Sequence, residues 1–129
     1  MSLSAHLRLA YGAAEYRVAG CSLRIGRRSL TLDGLLAGMG VREAVLITAC
    51  NPRSRLSCAN RNARMMRRLR AMLRRRTVFP AESGAGRWTE AQFLAAAPEA
   101  WACVVARRFG QNAMVVLRPC QKPRLRVLV

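Results

Sequence analysis

Lysine is nearly missing from this chain. Lys122 is the only one, and arginine supplies the rest of 23 basic residues. Acids are scarce too: six in 129 residues, which leaves a formal net charge of +17. That balance favours a polyanionic partner without identifying one. Arginine and alanine in place of lysine also follow from GC-rich coding, so the charge alone assigns no role to any single arginine.

Histidine occurs once, as His6 near the N-terminus, so Ser- or Cys-nucleophile chemistry lacks a well-placed base. The five cysteines (Cys21, Cys50, Cys58, Cys103 and Cys120) contain no C-x-x-C pair. With one histidine beside them they do not supply the paired ligands of a structural zinc site, and neither a metal nor another cofactor is expected. The odd count reads as reduced thiols, with Cys50 and Cys103 set among apolar neighbours. No stretch approaches the ~18 apolar residues of a membrane span. Arg8 and Glu15 interrupt the N-terminal apolar stretch, which argues against a secretory signal, and a cytoplasmic location is expected. Neither G-x-G-x-x-G nor G-x-x-x-x-G-K-[ST] occurs. The six acids stand singly rather than as a pair suited to metal-dependent or acid–base hydrolysis.

The length suits one domain, and the apolar fraction of 52% is enough for a core. Residues 1–13 read as an N-terminal arm. Strand-forming runs at Glu15–Val18 and Leu23–Ile25 flank Ala19-Gly20 and suggest a hairpin. Ser29 fits the cap of a short helix holding Leu30, Leu32, Leu35 and Leu36, which Gly38 and Gly40 would end. The nearly continuous apolar run 43–49 is the clearest strand, covered on both faces. Asn51-Pro52 breaks it. A helix over 58–75 follows, with Ser57 as its cap. Its core stripe is Ala59, Ala63, Met66, Leu69 and Leu73, and Arg61, Arg64, Arg68 and Arg75 lie opposite. Residues 79–87, with Pro80, Gly84 and Gly86, read as a flexible loop, and Trp88–Leu94 as a possible strand. Pro98 opens and Gly110 stops a helix with Trp101, Val105 and Phe109 on one stripe. Strands at 112–117 and 124–129 complete the order β-β-α-β-α-(β)-α-β-β. The expected class is α+β: a small mixed sheet with about three helices packed on it.

Three polar groups fall at element boundaries. Asn51-Pro52-Arg53-Ser54 follows the central strand, where a loop either walls a pocket or forms a turn whose Asn satisfies its own backbone. Asn62 points to the core side of its helix and needs partners, for which the Asn51 loop is the natural source. Trp88 and Glu90 join Phe109-Gly110-Gln111-Asn112 as the third. Glu90 is the acid that would serve as a general acid or base if there is chemistry; an ion pair with one of the many arginines is the plainer alternative.

Ile47-Thr48-Ala49-Cys50-Asn51-Pro52-Arg53-Ser54, Asn62-Ala63-Arg64-Met65, Trp88-Thr89-Glu90 and Phe109-Gly110-Gln111-Asn112-Ala113 together resemble the bacterial domain of unknown function DUF3293, from about Glu15 onward. Cys50 stands where an aromatic is expected. The resemblance implies no activity and supports a shared polar site.

The expectation is therefore a ligand-binding or regulatory domain whose site combines Asn51, Arg53, Ser54, Asn62, Arg64, Trp88, Glu90, Gln111 and Asn112. Arg53 and Arg64 would favour an anionic small molecule. The alternatives are a nucleic-acid-associated protein using Arg61, Arg64, Arg68 and Arg75, and an enzyme with Glu90 as acid/base. The seven aromatics do not interleave with the arginine run, so a base-stacking platform is not expected.

Overall fold

The computed structural model describes residues 3–85 and 88–129. Helix α1 (Ala5–Ala13) leads into the hairpin β1 (Glu15–Val18) and β2 (Cys21–Leu23), followed by α2 (Leu30–Met39) and β3 (Ala44–Ile47). A short 3-10 turn over Pro52–Ser54 precedes α3 (Ala59–Met72). Then come β4 (Val78–Ala85), β5 (Trp88–Ala95), α4 (Glu99–Arg108), β6 (Ala113–Leu117) and β7 (Arg124–Val127). The strands form one seven-stranded sheet in the order β2-β1-β4-β5-β3-β6-β7. All of its pairings are antiparallel. The α+β class stands, with four helices instead of about three and a wholly antiparallel sheet instead of a mixed one.

Several local expectations are met for identifiable reasons. The hairpin forms, with its second strand at Cys21–Leu23 rather than Leu23–Ile25: Val18 pairs with Cys21 across Ala19 and Gly20, which both take positive φ (49° and 76°). This is the two-residue loop whose backbone twist matches that of a hairpin. The Ser29 hydroxyl accepts from Leu32 N–H, and Gly40 ends α2 in the left-handed conformation. Every residue of β3 is buried. Val45 and Ile47 pack with Met66 and Leu69 of α3, with Leu73 just past its end, and with Ala102, Val105 and Ala106 of α4. Ala44 and Leu46 face the other way, towards Leu32 and Leu36 of α2 and Tyr16 of β1. The period-two alternation thus feeds two cores, one on each face of the sheet.

Four expectations are corrected. Residues 5–13 are a helix, not an arm; Ser4 accepts from Leu7 N–H and caps it. Residues 78–85 are a strand, not a flexible loop. Pro80 is tolerated because it stands one residue past the last β1 partner, Val18↔Ala81, where one flank of β4 is open. Gly86 of that expected loop lies outside the described residues, as does Arg87. The cap of α3 is Cys58 rather than Ser57, and its side chain makes no capping bond. Ala59 and Ala63 are exposed; Met66, Leu69 and Leu73 are the buried residues of this stripe, with Met65 and Met72 packed beside them.

Candidate polar site beneath the first helix

The chain turns sharply after β3. Asn51 (φ 48°), Arg53 (φ 58°) and Ser54 (φ 60°) all take left-handed backbone, and so does Gly110 (φ 69°) opposite them. The two segments touch: Arg53 N–H donates to Gly110 C=O at 2.8 Å. A Cβ on Gly110 would stand 3.1 Å from Pro52 Cβ, so glycine is needed both for its φ and for the close approach. Left-handed non-glycine backbone gathered in one loop is the kind of strain that tends to mark functional positions.

Asn51 is the hub. Its Nδ2 donates to Glu90 Oε2 at 2.9 Å, and its Oδ1 accepts from Ser57 N–H at 2.9 Å and from Asn62 Nδ2 at 3.0 Å. The Asn51 backbone N–H donates to Asn62 Oδ1 at 3.0 Å. The paired amides pin the start of α3 to the end of β3, the bracing expected of Asn62. Gln111 donates from Nε2 to Cys50 C=O at 3.0 Å, and Asn112 from Nδ2 to Ser54 Oγ at 2.9 Å. Tyr11 of α1 reaches the same Ser54 hydroxyl at 3.3 Å. Among the described residues, no buried side-chain nitrogen or oxygen lacks a partner.

Glu90 sits where this network meets a cavity of about 320 Å³ between α1 and the sheet. Leu7, Ala10 and Tyr11 of α1 form an apolar roof, and Tyr16 of β1 closes one side. Ser83, Glu90, Gln92, Asn51 and Gln111 supply the polar lining. Glu90 is the only charged side chain among the lining residues. It makes no ion pair: the arginine partner that was the plainer expectation is absent among the described residues. Two amides hold it instead, Asn51 at Oε2 and Gln92 Nε2 at Oε1 (3.1 Å); Gln92 also donates to Ser83 Oγ at 3.1 Å. Burial pushes the Glu90 carboxyl above the usual carboxylate range, and the Asn51 hydrogen bond only partly opposes it. Burial likewise raises the Tyr11 and Tyr16 phenols, and the Cys50 thiol.

The profile of the proteins of unknown function DUF3293 matches residues 47–114, more than half of the chain. The chain belongs to this family. Comparison with curated proteins and with solved structures finds no match. The DUF3293 match is shorter than a span from Glu15, yet it contains every site residue nominated from sequence. The α1 roof lies outside it.

Of those nominated residues, Asn51, Ser54, Glu90 and Gln111 line the cavity. Asn62 and Asn112 stand one hydrogen bond behind them. Arg53 and Arg64 are exposed and do not line it. Trp88 opens β5 opposite Ala85, and its side chain is outside the described set. Sequence reasoning missed Gln92, Ser83, Tyr11 and Tyr16. Gln92 was within reach, since a residue two past Glu90 on a strand shares its face. Tyr11 follows Leu7 at helical spacing behind a serine cap, a signal hidden once the segment is read as an arm. Among the described residues, no three His, Cys, Asp or Glu side chains gather as a metal-holding group. No helix among them is long and apolar enough to cross a membrane.

Proposed function

We propose that this DUF3293 protein binds a small, largely apolar molecule under α1 and recognises one hydrogen-bond donor or cationic group on it through Glu90. The observation that carries the reading is a half-buried carboxyl facing a cavity with no cation beside it. A carboxylate offers about four lone-pair directions. Asn51 and Gln92 take one on each oxygen, which leaves acceptor capacity for a ligand. The volume lies at the lower end of the ~300–1,000 Å³ typical of small-molecule sites. Arg53 and Arg64, which motivated an anionic ligand, are exposed and do not line the cavity; the only charged group an anion would meet among the lining residues is Glu90, which would repel it. The same carboxyl is the group through which a bound molecule would exchange a proton, so an acid/base role belongs to Glu90 and to no other lining acid.

The test is a thermal-shift and calorimetric screen with three size-matched sets: aryl-alkyl amines, the corresponding alcohols and the corresponding carboxylates. Amines and alcohols should stabilise the protein, and Glu90→Gln should weaken the amines most. Carboxylates that bind best, or amine binding that Glu90→Gln leaves intact, would overturn the reading.

A further inference from the structure

The acids and the arginines are not spread evenly. Between Glu43 and Glu82 the chain has no acid and ten arginines. Outside that stretch, arginines pair locally with every acid except Glu90 among the described residues. Arg17 and Arg24 pair with Glu15, Arg28 with Asp33, and Glu99 alone takes Arg118, Arg124 and Arg126. Among the described residues, none of the ten is in an ion pair with an acid. Arg76 is set apart, stacked over Trp101 with its guanidinium 4.4 Å from the ring centroid. The molecule's uncompensated positive charge is therefore concentrated on α3 and its flanks.

Helix α3 displays that charge on a rigid support. Met66 and Leu69, with Leu73 just past its end, anchor one side to the sheet. Arg61, Arg64, Arg67, Arg68 and Arg70 are all exposed. At 100° per residue, Arg67 and Arg70 lean to one side of the exposed ridge and Arg61, Arg64 and Arg68 to the other. From Arg61 to Arg70 the ridge runs about 14 Å, or about four base-pair rises of a duplex.

We infer that this face of α3 docks on duplex DNA through the phosphate backbone, independently of base sequence. Between Arg61 and Arg70 the ridge has no exposed large apolar side chain to insert into a bilayer, exposed Leu56 on the N-terminal flank standing alone, and residues 53–76 contain no aromatic on which a single strand could stack. An α-helix fits the ~12 Å major groove of B-DNA, whereas the narrow major groove of A-form RNA does not admit one. Arginine forks on phosphates supply affinity and no base readout.

The test uses fluorescence anisotropy with a labelled mixed-sequence DNA duplex, titrated in salt from about 50 to about 200 mM. Three variants are compared: Arg61/Arg64/Arg68→Gln, the same three positions →Lys, and a charge-matched control, Arg8/Arg27/Arg42→Gln, at exposed arginines elsewhere. Circular dichroism melts establish that each is folded. The α3 glutamine variant should flatten the plot of log affinity against log salt by about 2.7, which is ~0.9 per lost phosphate contact. The lysine variant should retain most of the slope, and the control should change it by less than ~1. Equal loss in the control, no binding to the duplex, or tighter binding to an RNA duplex or a single strand of the same sequence would each overturn the inference. None of these outcomes depends on the cavity or on Glu90.

Discussion

Replacing Asn51 by alanine removes one small side chain with three partners, and the cost can be assembled from them. Ser57 N–H loses its acceptor, Glu90 Oε2 loses its donor, and Asn62 Nδ2 keeps only a long bond to Ser57 C=O at 3.4 Å. An orphaned buried partner costs ~1–3 kcal/mol, and the lower end applies to Glu90, since water can enter the cavity beside it. The backbone adds a further term. Asn51 sits at φ 48°, ψ 62°, where asparagine is tolerated and alanine costs ~1 kcal/mol. Together these give about 3–4 kcal/mol, a large share of the ~5–15 kcal/mol by which domains are stable. Urea denaturation should show the midpoint falling at constant slope. Asn51→Gly separates the two terms. It loses the same hydrogen bonds but regains left-handed freedom, so it should be more stable than Asn51→Ala by ~1 kcal/mol, reversing the usual order of these residues. If Asn51→Ala stays within ~1 kcal/mol of the parent, or glycine falls below alanine, the network does not brace the fold.

Glu90 and Glu99 should shape the pH dependence in opposite directions. Burial raises Glu90 in the folded state, so its ionisation opposes folding: stability declines as pH rises from the ordinary value of 4.5 through the folded pKa. Glu90→Gln should remove that decline in melts run across pH. Glu99 is held below the usual range, first by its hydrogen bond from Arg124, so its contribution is present above 4.5 and is lost as pH falls through the lowered value. Glu99→Gln should therefore destabilise at neutral pH, with the difference fading in acid. Gly110→Ala should cost ~2 kcal/mol or more in thermal denaturation, from its left-handed φ and the Pro52 contact; a neutral result would refute the close approach. Thiol titration should count five free cysteines in denaturant. Only Cys58 and Cys120 should react quickly in the native protein, since Cys21, Cys50 and Cys103 are buried.

The polar site was legible in the sequence wherever a residue had to be explained by its own position. Asn51 before proline, Asn62 on a core-facing stripe, and Gln111-Asn112 between a helix stop and a strand all announced buried amides in need of partners. Their partners were less legible, because hydrogen bonds such as Asn51 to Glu90 join residues far apart in sequence and depend on strand register. Val45, Leu46 and Ile47 gave away a strand covered on both faces, whereas Val78 to Gly84 did not. Proline and glycine signal a turn locally, and only the neighbours β1 and β5 make that segment a strand. The roof of the cavity was hidden for a related reason. Nothing in residues 5–13 is fully buried, so the segment lacks the strong apolar stripe that identifies a core helix.

The place of β3 in the sheet has a consequence for synthesis. Its neighbours are β5 and β6, and both follow it in the chain. A ribosome that has released the chain only as far as α3 holds Ala44–Ile47 with neither edge satisfied. The earlier hairpin offers no relief, because β1 docks on β4, which is itself still to come. The strand most deeply enclosed in the finished molecule is therefore among the last to be sheltered. Such delayed, long-range pairing slows folding and leaves an apolar edge open to other nascent copies.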